Sequence, residues 1–397
     1  MNANIDNVKT MVLAGLINMR KSEDELRNFI RDVAGHFPSG LSDEEIELVA
    51  REIEHSQGIK AGLGAVVDSE NFEPWLDDAK PTINPFYWDR YRKHLTSQGL
   101  PKDVVISADA VTDKILSRLG NPTQDGPWDR RGMVVGHVQS GKTANYTGLI
   151  CKAADAGYKL IIVIAGIHNN LRNQTQARID EGFIGRDTGR SQETGTGSAR
   201  YIIGAGHYGN INTPVSLTTT QRDFNNHTAT TNKSEMDSYK VPVVLVIKKQ
   251  SNTLRNLLQW LKDNSARGDR EMIDNPMLLI DDEADNASIN TKYGKEEVTT
   301  TNKLIRDLLT TFSRRTYIGY TATPFANIFI DPDEYSEMLQ EDLFPKDFII
   351  SLDAPSNYFG ANKVFLEGIS DDAEPTWLRY IDDNEDVLPI KHPQDFI

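Results

Sequence analysis

The stretch from Gly136 to Thr143 constrains this chain more than any other, because it matches the pattern G-x-x-x-x-G-K-[ST] at every fixed position. Residues 131–135, which end in Met-Val-Val, precede it and predict a buried strand, while residues 144–156 predict a helix that stops at Gly157. A strand, a glycine-rich loop and a helix in this order are typical of a phosphate-binding loop. The stretch therefore predicts a nucleotide site.

The residues of this loop have predicted contacts with the phosphates and with Mg²⁺. Its backbone N–H groups would surround the β-phosphate, and the following helix would direct the positive end of its dipole at the anion. Lys142 is predicted to reach the β- and γ-phosphates of ATP, and the Thr143 hydroxyl to hold Mg²⁺. The predicted nucleotide-binding residues are Gly136, His137, Val138, Gln139, Ser140, Gly141, Lys142, Thr143 and Ala144.

A second predicted strand, residues 277–280, runs into the acidic box Asp281-Asp282-Glu283-Ala284-Asp285. The carboxyl end of a strand beside a phosphate loop is where a carboxylate can bind Mg²⁺ and another can polarise the attacking water. Asp282 is the predicted metal ligand. Glu283 is the predicted catalytic base, acting together with Lys142.

A third strand, residues 315–320, ends in Thr321-Ala322-Thr323. A pair of threonines at a strand end, beside the acidic box, can link the metal site to whatever lies across the cleft. We interpret these three residues as coupling residues, because their order and spacing in the chain favour that role over a hydroxyl-rich turn.

Composition limits the classes of function. The chain has 397 residues, of which 38% are hydrophobic, and it contains no apolar run long enough to cross a bilayer, so we expect a cytoplasmic protein of two or three domains without a membrane segment. Cys151 is its only cysteine and is expected in the core. A net charge of −15 argues against coating nucleic acid through overall charge, but it is compatible with a local basic groove.

The first 80 residues predict a small helical domain. Ser22 and Ser42 each open a capping box with a glutamate three residues later, and an apolar pattern of helical spacing follows each box. Residues 77–85 are polar, contain two prolines and form the predicted linker. Residues 81–335 are the predicted ATPase domain, and residues 336–397 are a predicted C-terminal extension.

Two features inside the ATPase domain have more than one interpretation. Residues 186–240 are rich in Thr, Ser, Asn and Gly and predict a loop-rich insertion, either solvated or in contact with a polymer or the nucleotide. The aromatic group Phe86, Tyr87, Trp88 and Tyr91 either packs helices onto the core or stacks on adenine. Gln124 is a further candidate for reading the adenine.

The phosphate loop, the acidic box and Thr321-Ala322-Thr323 occur in the order of motifs one, two and three of superfamily two helicases. Residues 132–330 resemble the first RecA-like domain of that superfamily, and residues 164–176 lie where its strand-contacting motif Ia falls. The resemblance implies an α/β fold, with a RecA-like P-loop NTPase core on a parallel sheet after the helical domain. It also implies an ATPase that uses ATP and Mg²⁺.

A narrower resemblance is to the bacterial family known as Z-one domain proteins, carried by residues 136–143, 281–285 and 321–327. It implies ATP-driven action on DNA in restriction-type or antiphage defence, with a nuclease or methyltransferase as partner. The residues themselves show no nuclease pattern.

Superfamily two motors hydrolyse ATP between two RecA-like domains, and the second domain supplies arginines that stabilise the transition state. No second domain is recognisable after residue 330, so this chain is expected to be the amino-terminal part of a longer protein and to hydrolyse ATP weakly alone. The alternative is a nucleotide-dependent switch or scaffold, in which ATP orders residues 186–240 and recruits a protein partner without translocation.

Overall fold

The computed structural model describes residues 8, 11–12, 23–37, 40–43, 45–47, 49, 63–69, 72–136, 141–193, 201–232, 234–265, 272–286, 288, 300–324 and 343–352. The residues with a predicted role that lie outside this set are Ser22, residues 137–140 of the phosphate loop, residues 194–200 and 233 of the predicted insertion, residues 325–327, and all of the predicted C-terminal extension except residues 343–352.

The described N-terminal residues are helical. Helix α1 spans Glu23–Ala34, and its Ile30 and Ala34 pack in a small cluster with other buried apolar residues. The predicted capping box at Ser42 is confirmed, because its N–H donates to the Glu45 carboxylate at 2.9 Å and the Glu45 N–H donates to the Ser42 hydroxyl at 3.3 Å.

A single sheet organises the rest of the described chain. Its strands are β1 (Leu63–Asp68), β2 (Trp128–Val135), β3 (Leu160–Ala165), β4 (Val215–Ser216), β5 (Val243–Ile247), β6 (Met277–Asp282), β7 (Arg314–Thr321) and β8 (Phe348–Leu352). Their spatial order is β1-β8-β2-β7-β6-β3-β5-β4. Every pairing in this sheet is parallel except that of β1 with β8. A parallel sheet of this kind needs helices on both faces.

Helices between the strands cover both faces. They are α2 (Leu76–Ala79), α3 (Phe86–Ser97), α4 (Lys102–Leu116), α5 (Lys142–Ala156), α6 (Asn169–Ile179), α7 (Thr188–Glu193), α8 (Asn226–Thr231), α9 (Ser251–Ser265) and α10 (Thr300–Thr310). Successive strand residues alternate between two buried clusters, as Ile161 and Val163 face one and Leu160 and Ile162 face the other. Among the described residues, no helix has the length and apolar character that crossing a bilayer requires.

The sheet extends beyond the predicted ATPase limits of 81–335. β1 lies within the predicted helical region, and β8 lies within the predicted extension. The predicted linker also differs, because residues 76–82 form α2 and a 3₁₀ turn, with Leu76 buried in the core. Pairing with β8 explains the placement of β1, since a lone strand has no stability of its own.

The described part of the predicted insertion packs onto the core. Arg172 on α6 is buried, and its guanidinium donates to the carbonyls of Thr219 at 2.7 Å and Val246 at 3.3 Å. Buried Gln176 accepts from the Thr218 hydroxyl at 2.7 Å. Side chains of α6 thus hold the segment around β4 against β5. This packing does not fit the interpretation of the segment as a solvated loop.

The aromatic group upstream of the loop belongs to the core. Tyr87, Trp88 and Tyr91 on α3 are buried, and the Tyr91 hydroxyl donates to the Ala144 carbonyl on α5 at 3.1 Å. Tyr87 packs on Phe183 with ring centroids 5.2 Å apart. This burial favours the packing interpretation over an adenine platform.

Asp155 on α5 holds the first turn of α3. Its carboxylate accepts from the backbone N–H groups of Tyr87 at 2.8 Å and Trp88 at 2.9 Å. Burial raises the pKa of Asp155 to about 7, because desolvation outweighs these two hydrogen bonds. The contact between α3 and α5 therefore contains a carboxyl group that titrates near neutral pH.

We expect the Asp155→Asn variant to lose the pH dependence of stability that this carboxyl contributes. A folded-state pKa above the unfolded value means that the folded protein binds the proton more tightly, so stability falls as pH rises from about 4 to about 7. Denaturant unfolding at about pH 5 and about pH 8 should show the wild type losing roughly 1–3 kcal/mol relative to the variant. If stability changed with pH to the same extent in wild type and in Asp155→Asn, the prediction would be wrong. Asp103→Asn, at an exposed aspartate, is the control and should keep the wild-type pH dependence.

Candidate nucleotide site

Three parallel strands end side by side at one edge of the sheet. β7 lies between β2 and β6, so the residues that follow these strands come together. Gly136, directly after β2, donates its N–H to the carbonyl of Thr321 on β7 at 2.9 Å. The start of the phosphate loop, the acidic box and the threonine pair therefore share this edge.

The described part of the phosphate loop leads directly into α5. Gly141 precedes the helix with a φ of 74°, a left-handed conformation that glycine adopts without strain. The Lys142 ammonium donates to the Gly136 carbonyl at 3.2 Å, so this side chain turns back toward the start of the loop. Thr143 and Ala144 occupy the first turn of α5, where backbone N–H groups have no partners within the helix.

Lys142 lies in an acidic environment. Desolvation lowers its pKa, and the negative charges of Asp282, Glu283 and Asp285 act in the opposite direction, with Asp282 the strongest of the three. The predicted phosphate-binding lysine and the predicted acidic residues are thus brought together although about 140 residues separate them in the chain. A phosphate group placed here would contact the Lys142 ammonium. Cations bound with the phosphate would neutralise the carboxylates of the acidic box.

Tyr146 connects the two predicted metal ligands. Its hydroxyl donates to the Asp282 carboxylate at 3.2 Å, and side-chain hydrogen bonds with Thr143 and Thr175 also act on its pKa. Burial raises the pKa of Asp282, because desolvation disfavours its charge and the Tyr146 hydroxyl only partly compensates. The buried Tyr146 hydroxyl therefore lies close to both predicted metal ligands.

These residues fit a magnesium ion that is shared with a nucleotide. Among the described residues, no group of three or more His, Cys, Asp or Glu could hold a metal by itself. Mg²⁺ is normally held by one or two protein oxygens together with waters and substrate phosphates, which is what the Thr143 hydroxyl and the Asp282 carboxylate can provide. The partly buried Asp282 carboxylate, whose pKa is raised by desolvation, would be stabilised by a cation.

Glu283 has an unusual backbone conformation. Its φ is 54°, and it is the one non-glycine residue with a positive φ in the described part of the chain. Its side chain is exposed, while the next residue, Ala284, is buried and donates its N–H to the Tyr320 carbonyl at 3.0 Å. A Cβ atom on Gly319 would lie 2.9 Å from the Ala284 methyl group, which is too close. Glycine at this position of β7 therefore leaves room for the turn that contains Glu283 and Ala284.

The threonine pair binds the last carboxylate of the acidic box. The hydroxyls of Thr321 and Thr323 donate to the two oxygens of Asp285 at 2.7 and 2.6 Å, and the Thr323 N–H donates to the Thr321 hydroxyl at 2.9 Å. Ala322 lies between them, half-buried. The residues that end and follow β7 are therefore joined by direct hydrogen bonds to the turn that contains Glu283.

Lys249 and Tyr146 belong to the site but were not predicted from the sequence. Lys249 follows β5, is fully buried and forms an ion pair with Asp281 at 2.9 Å. The Tyr317 hydroxyl donates to the other oxygen of Asp281 at 2.9 Å. Two consecutive lysines, Lys248 and Lys249, follow the apolar strand β5 at the edge where the acidic box lies, and this pair is a signal that could have drawn attention to Lys249. Nothing local in the sequence distinguishes Tyr146 from a core tyrosine.

The candidate adenine reader, Gln124, lies at the other end of the sheet. It precedes β2, whereas Gly136 follows β2, and an eight-residue strand is about 25 Å long. The neighbouring Pro122 accepts a hydrogen bond from Arg314, the first residue of β7, which confirms that this loop lies at the amino edge. Gln124 and the phosphate loop therefore lie at opposite edges of the sheet, and the prediction that Gln124 contacts the adenine is wrong.

Only part of the region that resembles motif Ia is available for contacts. Arg172 and Gln176 are buried and hold the chain around β4, as described above. Residues 167–171, between β3 and the second turn of α6, are exposed, and they include the apolar Ile167 and Leu171. This exposed loop lies at the edge of the sheet that carries the candidate site, because β3 is the neighbour of β6.

No protein-family model matches this chain, and no curated protein matches it either. Among solved structures, it is similar to a variant of Dbp5 from S. cerevisiae, in a complex with Nup159, Gle1, IP6 and ADP. That similarity has a TM-score of 0.32 and 14% sequence identity, and it covers 61% of this chain and 47% of the other. The matched region is thus less than half of that protein, and a likeness of this size carries no argument on function.

The architecture itself defines the class. A mostly parallel sheet is covered by helices, the strand before the phosphate loop is separated from the strand of the acidic box by β7, and all three motifs lie at the carboxyl edge. This is an α/β protein with a RecA-like fold, as the sequence predicts.

Proposed function

We propose that this chain is the ATP-binding and ATP-hydrolysing motor domain of a DNA helicase or translocase. The observation that carries the proposal is the convergence of Lys142, Asp282 and the Asp285–threonine cluster at one edge of the sheet. At this edge, the N-terminus of α5 and the Lys142 ammonium are available to bind phosphate. The acidic box at the end of β6 supplies oxygen ligands for Mg²⁺.

Each residue has a defined role in this proposal. The backbone of residues 136–144 and the Lys142 ammonium bind the β- and γ-phosphates, and Thr143 and Asp282 hold Mg²⁺, which would neutralise charge on the phosphate oxygens. Glu283 accepts a proton from the attacking water, as expected of an exposed carboxylate next to the metal ligand. Asp285 links this turn to Thr321 and Thr323, which transmit the state of the nucleotide to the far side of the cleft.

DNA is the proposed polymer. The proposal is supported by the motif resemblance and by the exposed loop at residues 167–171, which lies beside the candidate site where a polymer can reach it. The net charge of −15 requires that such binding occur in a local basic groove rather than over the whole surface. A cytoplasmic defence setting, with a nuclease or methyltransferase partner, has the motif resemblance as its only support.

The alternative is an ATP-dependent switch or scaffold. In that function, ATP would order residues 186–240 and so recruit a protein partner. The described part of this segment already packs on α6 through Arg172 and Gln176, which favours the motor.

The test measures ATP hydrolysis by the longest native form of the protein, with and without single- and double-stranded DNA, because a second RecA-like domain would raise the rate. A motor should hydrolyse ATP at least about tenfold faster with one form of DNA. Lys142→Ala is the control for contaminating ATPases. Slow hydrolysis that neither form of DNA stimulates, combined with nucleotide-dependent binding of a protein, would replace the motor with the switch.

A further inference from the structure

Lys249 is a lysine without access to solvent beneath the candidate site. Its side chain and that of Asp281 are both 0% exposed, and the Lys249 Nζ lies 2.9 Å from Asp281 Oδ1. A buried ammonium is costly unless it is both paired and hydrogen-bonded, and an apolar residue of similar volume would often give equal stability. The other groups that this ammonium contacts therefore indicate why a charge is present here.

Those groups are three backbone carbonyls of the turn after β6. The Lys249 ammonium donates to the carbonyls of Asp282 at 3.0 Å, Glu283 at 2.7 Å and Asn286 at 2.9 Å. The first two belong to the peptide units on either side of Glu283 Cα. Because both point at the same cation, the rotations about the Glu283 backbone are restricted from both sides.

Glu283 needs such a restriction. A left-handed φ of 54° costs a non-glycine residue roughly 1–2 kcal/mol, and conformations of this kind persist only where the surroundings over-determine them. Within the described residues, Lys249 is the side chain that contacts carbonyls on both sides of this residue. The backbone N–H of Lys249 also donates to the Gly166 carbonyl at 2.8 Å, which joins the turn to the exposed loop after β3.

We infer that Lys249 is a positioning residue, which holds the turn so that the Glu283 carboxylate faces the attacking water. The inference rests on the proposed ATPase function and deepens it, since Lys249 itself touches no reacting group. Removing Lys249 should therefore lower the rate of the chemical step while leaving the phosphate loop able to bind ATP.

The test replaces the buried pair as a unit. A chain with both Lys249→Gln and Asp281→Asn leaves no lone charge in the interior, which single substitutions would do. We expect kcat for ATP hydrolysis to fall at least about tenfold, with KM for ATP and the number of ATP molecules bound per chain within about threefold of wild type. Lys248→Gln, at the neighbouring lysine, is the matched control and should keep wild-type values.

An unchanged kcat in the pair variant would overturn the inference. A loss of kcat that only equals the loss of ATP-binding sites is what unfolding produces, and the decision then passes to a second variant. If the pair variant does not fold, Lys249→Arg decides, because it keeps the cation beside Asp281 but moves its donors relative to the carbonyls. A several-fold lower kcat at unchanged KM then supports the inference, and a wild-type kcat overturns it.

Failure of the proposed function gives a different pattern. If Lys142→Ala binds ATP as tightly as wild type, the nucleotide site is wrong. If the longest native form hydrolyses no ATP, the catalytic role of the acidic box is wrong. In either case the role of Lys249 falls with it. If Lys142→Ala loses ATP while the pair variant keeps its kcat, only the role of Lys249 is wrong.

Discussion

Replacing Lys142 with alanine should weaken ATP binding by about 100-fold or more. The substitution removes a cation that lies between the loop start at Gly136 and the carboxylates of the acidic box, and hydrogen bonds to charged groups contribute about 1.5–3 kcal/mol each. Because the carboxylates would then face the phosphates without compensation, repulsion adds to the loss. Titration with a fluorescent ATP analogue, with and without Mg²⁺, measures the effect.

Lys262→Ala is the matched control for this change. It removes an exposed lysine from α9 and should leave both ATP affinity and thermal stability as in wild type. Lys142→Ala should also keep its stability, since desolvation lowers the pKa of this ammonium and thus disfavours its charged form. ATP affinity that is the same in Lys142→Ala and wild type would mean that the loop is not a phosphate site.

Replacing Glu283 with glutamine should lower kcat by about 100-fold or more while ATP affinity stays near the wild-type value. A positioned general base contributes roughly 10²–10⁴ to a rate, and glutamine keeps the length and hydrogen-bonding capacity of the side chain without its basicity. The backbone of the turn should persist, because Lys249 binds the backbone carbonyls of Asp282 and Glu283 and not the Glu283 side chain. Steady-state turnover with DNA, together with ATP titration, separates the two effects.

The control for Glu283→Gln is Glu181→Gln, at an exposed glutamate that follows α6. Normal turnover in Glu283→Gln would place the base elsewhere. Apart from the proposed metal ligand Asp282, the box contains the carboxylates of Asp281 and Asp285, but the first is paired with buried Lys249 and the second accepts from Thr321 and Thr323. A base other than Glu283 would therefore have to give up one of these partners.

The two substitutions together distinguish binding from chemistry at this site. A loss of affinity at Lys142 with a loss of rate at Glu283 is the pattern expected when the loop binds the phosphates and the acidic box acts on water. Equal losses of both quantities in both variants would instead indicate a general disturbance of the edge where β2, β6 and β7 end.

The sequence by itself determined the features that depend on neighbours along the chain. The apolar run before Gly136, the glycines of the loop and the stop at Gly157 predict strand, loop and helix, and the structure has β2, α5 and a left-handed Gly157 there. The capping box at Ser42 is equally local, since its two hydrogen bonds join residues three apart. The α/β class follows from the order of such segments, because parallel strands need crossover helices, and the resemblance of the three motifs to superfamily two helicases implied the RecA-like form.

Only the tertiary structure decided which side chains meet across the sheet. The sequence favours Asp282 over Asp281 as the metal ligand only by its place in the motif, whereas the structure places Lys249 beside Asp281 and Tyr146 beside Asp282. Gln124 was misplaced because residues just before a strand lie a full strand length from those just after it. Contacts between residues 30 to 140 positions apart depend on strand order and register, and no local pattern encodes these.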